Sequence, residues 1–299
     1  MARAARPRPA PAGPLRLRAE LARTLTALER ETERALGHAV LGPEDIHDLH
    51  RELRRLASGL SVWARLVAVR EEPSVRDVAV RVRRLARLVG RVRDRDVTTG
   101  LLAPRTRLSR RAVEPESWRE FLGRLRDDTH TGRELLRAFL RSERQGGLFD
   151  RVRALLVLLP RPDASRDLHR ILAEERRLRQ GRVRKAHRKA RRRPSSERLH
   201  RLRIRIRQWR HLSSLEGVAR ATTNHPPPPS WQRLQERLGT LHDLDVALAT
   251  VPLDLADAPP AQRLRKVRKE LRRSVRASLE RIAARPRRAT ARARLRGGM

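Results

Sequence analysis

Within the stretch Leu199-His-Arg-Leu-Arg-Ile-Arg-Ile-Arg-Gln-Trp-Arg210, cationic or protonatable side chains recur at helical spacing as His200, Arg203, Arg207 and Arg210. At about 100° per residue they share an arc of about 80°, next to a sector of about 60° that holds Leu202, Ile206 and Trp209. The apolar stripe can bury. The guanidinium stripe beside it presents rigid forks of N–H donors that stay charged near pH 7, a chemistry suited to phosphate oxygens. The imidazole at its head adds a further donor, whose protonation the neighbouring cations oppose until an anion binds.

The same device occurs earlier, in Ile46-His-Asp-Leu-His-Arg-Glu-Leu-Arg-Arg-Leu56, at an offset of 153 residues. His47 answers to His200, His50 to Arg203, Leu53 to Ile206, Arg54 to Arg207 and Leu56 to Trp209, and Arg51 and Arg55 add charge to the first copy. The 17 Lys and Arg residues from Arg176 to Arg210, among them Arg184 and Arg188, face one acidic residue, Glu197. Like charges at i and i+4 destabilise a helix by a few tenths of a kcal/mol each, so this density is a cost unless an anion offsets it. A merely solvated face would mix signs.

A second pair of segments repeats in the same order: Val89-Gly-Arg-Val-Arg-Asp-Arg-Asp-Val97 and Leu238-Gly-Thr-Leu-His-Asp-Leu-Asp-Val246, offset by 149 residues. Arg93 fills the basic position in one and His242 in the other. Asp94, Asp96, Asp243 and Asp245 are expected to pair with buried arginines or to fix this helix, and Gly90 and Gly239 to be helix-packing positions, since a single glycine does not make a phosphate loop. The pairs His47-Asp48 and His242-Asp243 superficially resemble the adjacent His and Asp of metal-dependent phosphohydrolases. Those need further converging ligands, and cations crowd these candidates, so no metal site is expected. Neither a catalytic residue nor a cofactor is expected, because no nucleophile-base-orienter set stands out.

Two ordered markers at nearly constant separation make the chain two copies of one unit. Residues 1–14, with four prolines, read as a disordered basic arm, and residues 287–299 as a mobile basic tail. Helical periodicity runs from Leu15 to Gly37, from Gly42-Pro-Glu-Asp45 to about Glu72, and from Pro73-Ser74 into the first Gly-x-x-x-Asp-x-Asp-Val segment. A fourth helix spans Glu116 to about Arg144, is broken at Gly146-Gly147, and is followed by a short one to Leu159. Pro160-Arg-Pro162 separates the halves, 15–160 and 161–286. The second half repeats the plan: Asp163 to Arg193, a break at Pro194, Ser195 or Ser196 as N-cap, a stiff connector Asn224–Ser230, and a last helix from Pro259-Pro260 to about Arg285. No strand pattern occurs. The fold class is all-α, with about four long helices per half and hence two helical bundles.

Composition narrows the partner. Lys+Arg 72 against Asp+Glu 34 gives a net charge of +38, which repels itself without counter-ions or an anionic partner. A GC-rich genome would explain Arg in place of Lys, but not the net charge. With no Cys, disulfides and thiolate metal sites are excluded. The longest apolar run, Ala154–Leu159, is far short of the ~20 residues of a membrane span, and the N-terminus has no apolar signal region, so a cytoplasmic location is expected, with an organelle transit peptide as the minor alternative. Four Trp, three Phe and no Tyr give little stacking surface for single-stranded nucleic acid. Nonspecific nucleic-acid binding through phosphates alone remains the alternative reading.

His-x-Leu-x-x-x-x-Arg heading a basic helix, then Leu/Val-Gly-x-x-Arg/His-Asp-x-Asp-Val, recurs with 47 residues from His47 to Asp94 and 43 from His200 to Asp243. The combination resembles the CHAD family, the conserved-histidine α-helical domain, over about residues 15–285. The resemblance implies two antiparallel four-helix bundles related by a pseudo-twofold, with basic helix faces lining a central cavity or pore. It also implies non-catalytic binding of inorganic polyphosphate and association with polyphosphate granules. Carried over by position, His200, Arg203, Arg207 and Arg210 match most closely, with His47, His50, Arg51, Arg54, Arg55, Arg93, Arg184 and Arg188 as the remaining polyphosphate-binding candidates. The first copy departs from the pattern at His50 and Ala57, where arginine is usual, and at Arg51, where a β-branched residue is usual. Its half is expected to bind more weakly.

Overall fold

The protein is described from a computed structural model covering residues 13–67, 71–103, 115–158, 160, 164–220 and 227–284. Among the described residues there are nine α-helices, one 3-10 turn at Leu253–Leu255 and no strand. In chain order they are α1 (Gly13–Gly37), α2 (Pro43–Trp63), α3 (Glu72–Leu102), α4 (Glu116–Gln145), α5 (Leu148–Val157), α6 (Ala164–Arg192), α7 (Ser196–Arg220), α8 (Pro229–Thr250) and α9 (Pro259–Ala284).

Local chemistry sets most of these ends. At the start of α2, Asp45 Oδ2 accepts the Gly42 N–H at 2.9 Å and Pro43 needs no N–H partner. Pro194 ends α6, and Ser195 Oγ accepts the Arg198 N–H at 3.3 Å, capping α7. Between α4 and α5 the backbone passes through φ +67° at Gly147, a left-handed conformation that side chains other than glycine's disfavour.

Three boundaries differ from the sequence reading. α2 stops at Trp63 rather than near Glu72. Trp63 is fully buried and its indole N–H donates to the Leu155 carbonyl at 3.1 Å, while the following turns bury Leu66 and Val67 in the same core. Tertiary burial overrides the continuing helical pattern. α1 starts at Gly13, inside the expected arm, and Pro229 and Ser230 open α8 instead of closing the connector. The rest of the arm (residues 1–12), the tail and residues 161–163 at the expected boundary lie outside the described residues.

Packing follows one order twice. α1 packs on α2, α2 on α3 and α3 on α4; α6 packs on α7, α7 on α8 and α8 on α9. Across the two sets, α1 meets α6 and α7, α2 meets α7, and α3 meets α8. The largest core, built from α1, α2, α3, α5 and the second half of α4, also takes in Leu168, Ile171 and Leu172 of α6 and Leu212, Leu215 and Ala219 of α7. A second core joins α6 to α9 through residues such as Val183, Leu202, Leu238 and Leu279, and a third sets Leu102, Trp118 and Phe121 against Ala247, Leu255 and Ala261. Each fully buried leucine contributes about 1.5–3 kcal/mol, so burial holds the helices in register.

Candidate functional site

The apolar stripes decide how the basic ones point. Ile46, Leu49, Leu53 and Leu56 on α2, and Leu202 and Ile206 on α7, are completely buried. With those faces turned into the cores, the remaining faces of α2 and α7 meet over a cavity of about 470 Å³. Into it come His47, His50 and Arg54 from α2, Arg93 from α3, and Arg203, Arg207, Arg210 and His211 from α7, with Thr24 of α1 and Gln235 of α8 completing the wall.

The repeated glycines fit this arrangement. A β-carbon on Gly90 would lie 3.1 Å from His50 Nε2, and one on Gly239 would lie 3.8 Å from Arg203 Nε. His50 and Arg203 are repeat equivalents. Each glycine therefore leaves room for the same position of the neighbouring basic stripe.

The cavity cations divide into paired and unpaired groups. Arg51 bonds Asp48 at 2.7 Å and Glu52 at 2.8 Å, and Arg55 lies 3.4 Å from Glu52 and 3.6 Å from Glu20. Arg93 bridges the two repeats, 2.8 Å from Asp94 and 3.9 Å from Asp243. By contrast, Arg54, Arg203, Arg207 and Arg210 make no ion pair or hydrogen bond among the described residues. Burial first, and then like charge from Arg54 and Arg203, push Arg207 down to about 9, so it is still protonated at neutral pH. Burial likewise lowers Arg54, where Arg203 adds repulsion, and lowers Arg203 against the pull of Asp243. His50 falls to about 3 through burial and the charges of Arg54, Arg207 and Arg93. His211 falls to about 4 through burial and Arg207, Arg54, Arg210 and Arg179. Two unit charges 4 Å apart interact by about 4 kcal/mol at an effective dielectric of 20, so this cluster is a potential well for anions.

His200 does not line the cavity. Its Nδ1 lies 3.2 Å from Nδ1 of His242, with the rings tilted by 42°, so one ring donates and the other accepts. Burial lowers both, and each is further disfavoured in its charged form by its cationic surroundings. Of the four candidate acids, Asp96 pairs with Arg133 of α4 at 2.7 Å and Asp245 with Arg268 of α9, equivalent ties in the two repeats. Burial raises Asp96 against the pull of Arg133, and raises Asp243 against Arg93 and Arg203. Arg184 and Arg188 are not brought into the central cavity; they line a separate cleft with Trp231.

Sequence reasoning missed His211, although it follows Arg207 by one helical turn and so continues the stripe. Thr24 and Gln235 carried no sequence signal, because they reach the cavity only through packing. Among the described residues no group of three or more His, Asp or Glu side chains is placed to hold a metal ion. No helix formed by them is long and apolar enough to cross a membrane.

Fold and site together define an all-α protein built around an arginine-lined cavity. The CHAD domain family matches residues 19–252, most of the chain, and the protein belongs to that family. Two solved structures share the fold. The crystal structure of the CHAD domain from the plant Ricinus communis superposes with a TM-score of 0.60 at 18% identity, covering 90% of this chain and 92% of that one. PptA from Streptomyces chartreusis gives 0.51 at 16% identity, covering 90% and 96%. No curated protein matches the sequence.

Proposed function

We propose that the protein binds inorganic polyphosphate in the cavity between α2, α3 and α7, without turning it over. One observation carries this reading: Arg54, Arg203, Arg207 and Arg210 converge from two helices on one cavity and make no ion pair or hydrogen bond among the described residues. A flexible chain with one negative charge per phosphate supplies the missing counter-charge to successive guanidinium groups and releases counter-ions, so affinity falls steeply with salt.

In the same reading, halves 15–160 and 161–286 are copies of one unit related by a pseudo-twofold, each a four-helix bundle, with the cavity at their join. The repeated packing order and the paired glycines support this. Polyphosphate granules in the cytoplasm are then the expected location, and foci of the tagged protein should disappear from cells that make no polyphosphate.

The deciding experiment is competition at near-physiological salt between labelled long-chain polyphosphate and duplex DNA at equal phosphate concentration. DNA is expected to displace poorly. Equal or better displacement by DNA would make nonspecific nucleic-acid binding the better reading. Replacing Arg203, Arg207 and Arg210 together by Ala should remove most polyphosphate binding and leave helix content unchanged; binding that survives places the site elsewhere.

A further inference from the structure

Away from the central cavity, α6, α8 and α9 enclose a cleft of about 880 Å³, and a smaller cavity of about 410 Å³ adjoins it between α6, α7 and α8. Arg184 and Trp231 line both. We propose that this double cleft is a second anion site, specific for an aromatic phosphate compound of the nucleoside triphosphate class, its base on Trp231 and its phosphates on Arg184 and Arg188.

Three features lead there. First, Arg184, Arg188 and Arg191 recur at i, i+4 and i+7 on α6, within an arc of about 60°. Arg191 lies 3.5 Å from Glu280, whereas Arg184 and Arg188 have no ion pair or hydrogen bond among the described residues. Second, Trp231 is partly buried against the core of α6 to α9 and yet lines both cavities; His187 and Trp209 meet it at steep angles, 5.3 and 6.1 Å between ring centroids. His187 is itself fixed, donating Nε2–H to the Leu279 carbonyl at 3.0 Å, so the indole rests against a rigid wall. Third, the volumes fall in the range of small-molecule pockets, ~300–1,000 Å³, lined by apolar and aromatic groups with a few convergent polar ones.

The central cavity has no tryptophan in its wall and offers a base no indole to stack on. Inorganic polyphosphate, conversely, gains nothing from Trp231. The two sites should therefore be separable by ligand.

The test compares ATP with inorganic tripolyphosphate on the full chain carrying Arg203→Ala, Arg207→Ala and Arg210→Ala, which removes three of the four free arginines of the central cavity. Calorimetry is expected to show ATP binding about tenfold or more tighter than tripolyphosphate, the scale of one base stacked on an aromatic side chain. Trp231→Leu should close that gap, Trp231→Phe should keep most of it, and Arg184→Gln with Arg188→Gln should weaken both ligands. Equal affinities for ATP and tripolyphosphate, or a gap that survives Trp231→Leu, would overturn the proposal. The comparison of the two ligands needs no change at Trp231, so it decides the matter even if that variant misfolds. Because it is made without those three central arginines and reads a difference between two ligands, its failure leaves the polyphosphate reading untouched.

Discussion

Gly90 lies beneath His50 so closely that a β-carbon would approach the imidazole Nε2 to 3.1 Å, whereas the equivalent Gly239 leaves 3.8 Å to Arg203 Nε. Alanine in a helix interior is favoured over glycine by about 1 kcal/mol. Gly239→Ala should therefore stabilise the protein by up to about that amount. At Gly90 the same gain is offset by displacement of a half-buried ring in a packed wall, so Gly90→Ala should fall about 1 kcal/mol short of its counterpart. Urea unfolding of the two variants checks this, and equal gains would show that the His50 contact carries no weight.

Arg207 sits among Arg54 and Arg203 with burial already working against its charge. Replacing it by methionine keeps an unbranched stem and removes the repulsion. The ligand-free Arg207→Met protein should be more stable by roughly 1 kcal/mol at low salt, an advantage that shrinks as salt screens the cluster. Polyphosphate affinity should fall in the same variant. A loss of stability instead would mean that the arginine stem, not its charge, dominates its contribution.

Charge pairing ranks the arginines of α2. Arg51 is held by Asp48 and Glu52, while Arg54 has no such partner. Arg54→Ala should weaken polyphosphate binding several-fold more than Arg51→Ala and flatten the salt dependence by close to one unit in the log-log slope. Filter binding over a salt series distinguishes the two, and equal slopes for both variants count against the ranking.

Acid acts in opposite directions on the empty and the filled protein. His50 at about 3 and His211 at about 4 stay neutral in the fold well below the ~6.5 of a free imidazole, so the unfolded chain takes up protons first. Stability of the empty protein should decline as pH falls from about 6.5 towards 4. A bound polyanion reverses the field at both rings and raises them, so binding should take up protons and strengthen between about pH 6.5 and 4. Calorimetry at pH 5.5 in two buffers of different ionisation enthalpy measures that uptake. The uptake should be markedly smaller in the double variant His50→Gln/His211→Gln, with His47 still in the wall; no uptake in the parent protein, or equal uptake in the two, would refute the coupling.

The helical plan was legible because leucines at 3.6-residue spacing, Gly146-Gly147 and Pro194 are local signals that tertiary packing left in force. The end of α2 was not, since what stops it is the burial of Trp63, Leu66 and Val67 against distant partners such as Leu155. The basic stripes gave the faces of α2 and α7 but not which arginines would be free. That depends on Glu20 and Glu52, whose carboxylates come from one helix away and from the stripe's own helix. Arg184 and Arg188 share the charge run of α7's stripe in sequence and yet face another cleft, because a run says nothing about where a helix turns its sides.

Arg54 and Arg207 occupy the same place in the two repeats and act on each other across the cavity. Burial holds that pair of like charges in place: Leu168 of α6 and Leu212 of α7 are sunk into the same core as the leucines of α1, α2 and α3, so the receptacle does not depend on a ligand to assemble it. It stands open and charged before any ligand arrives.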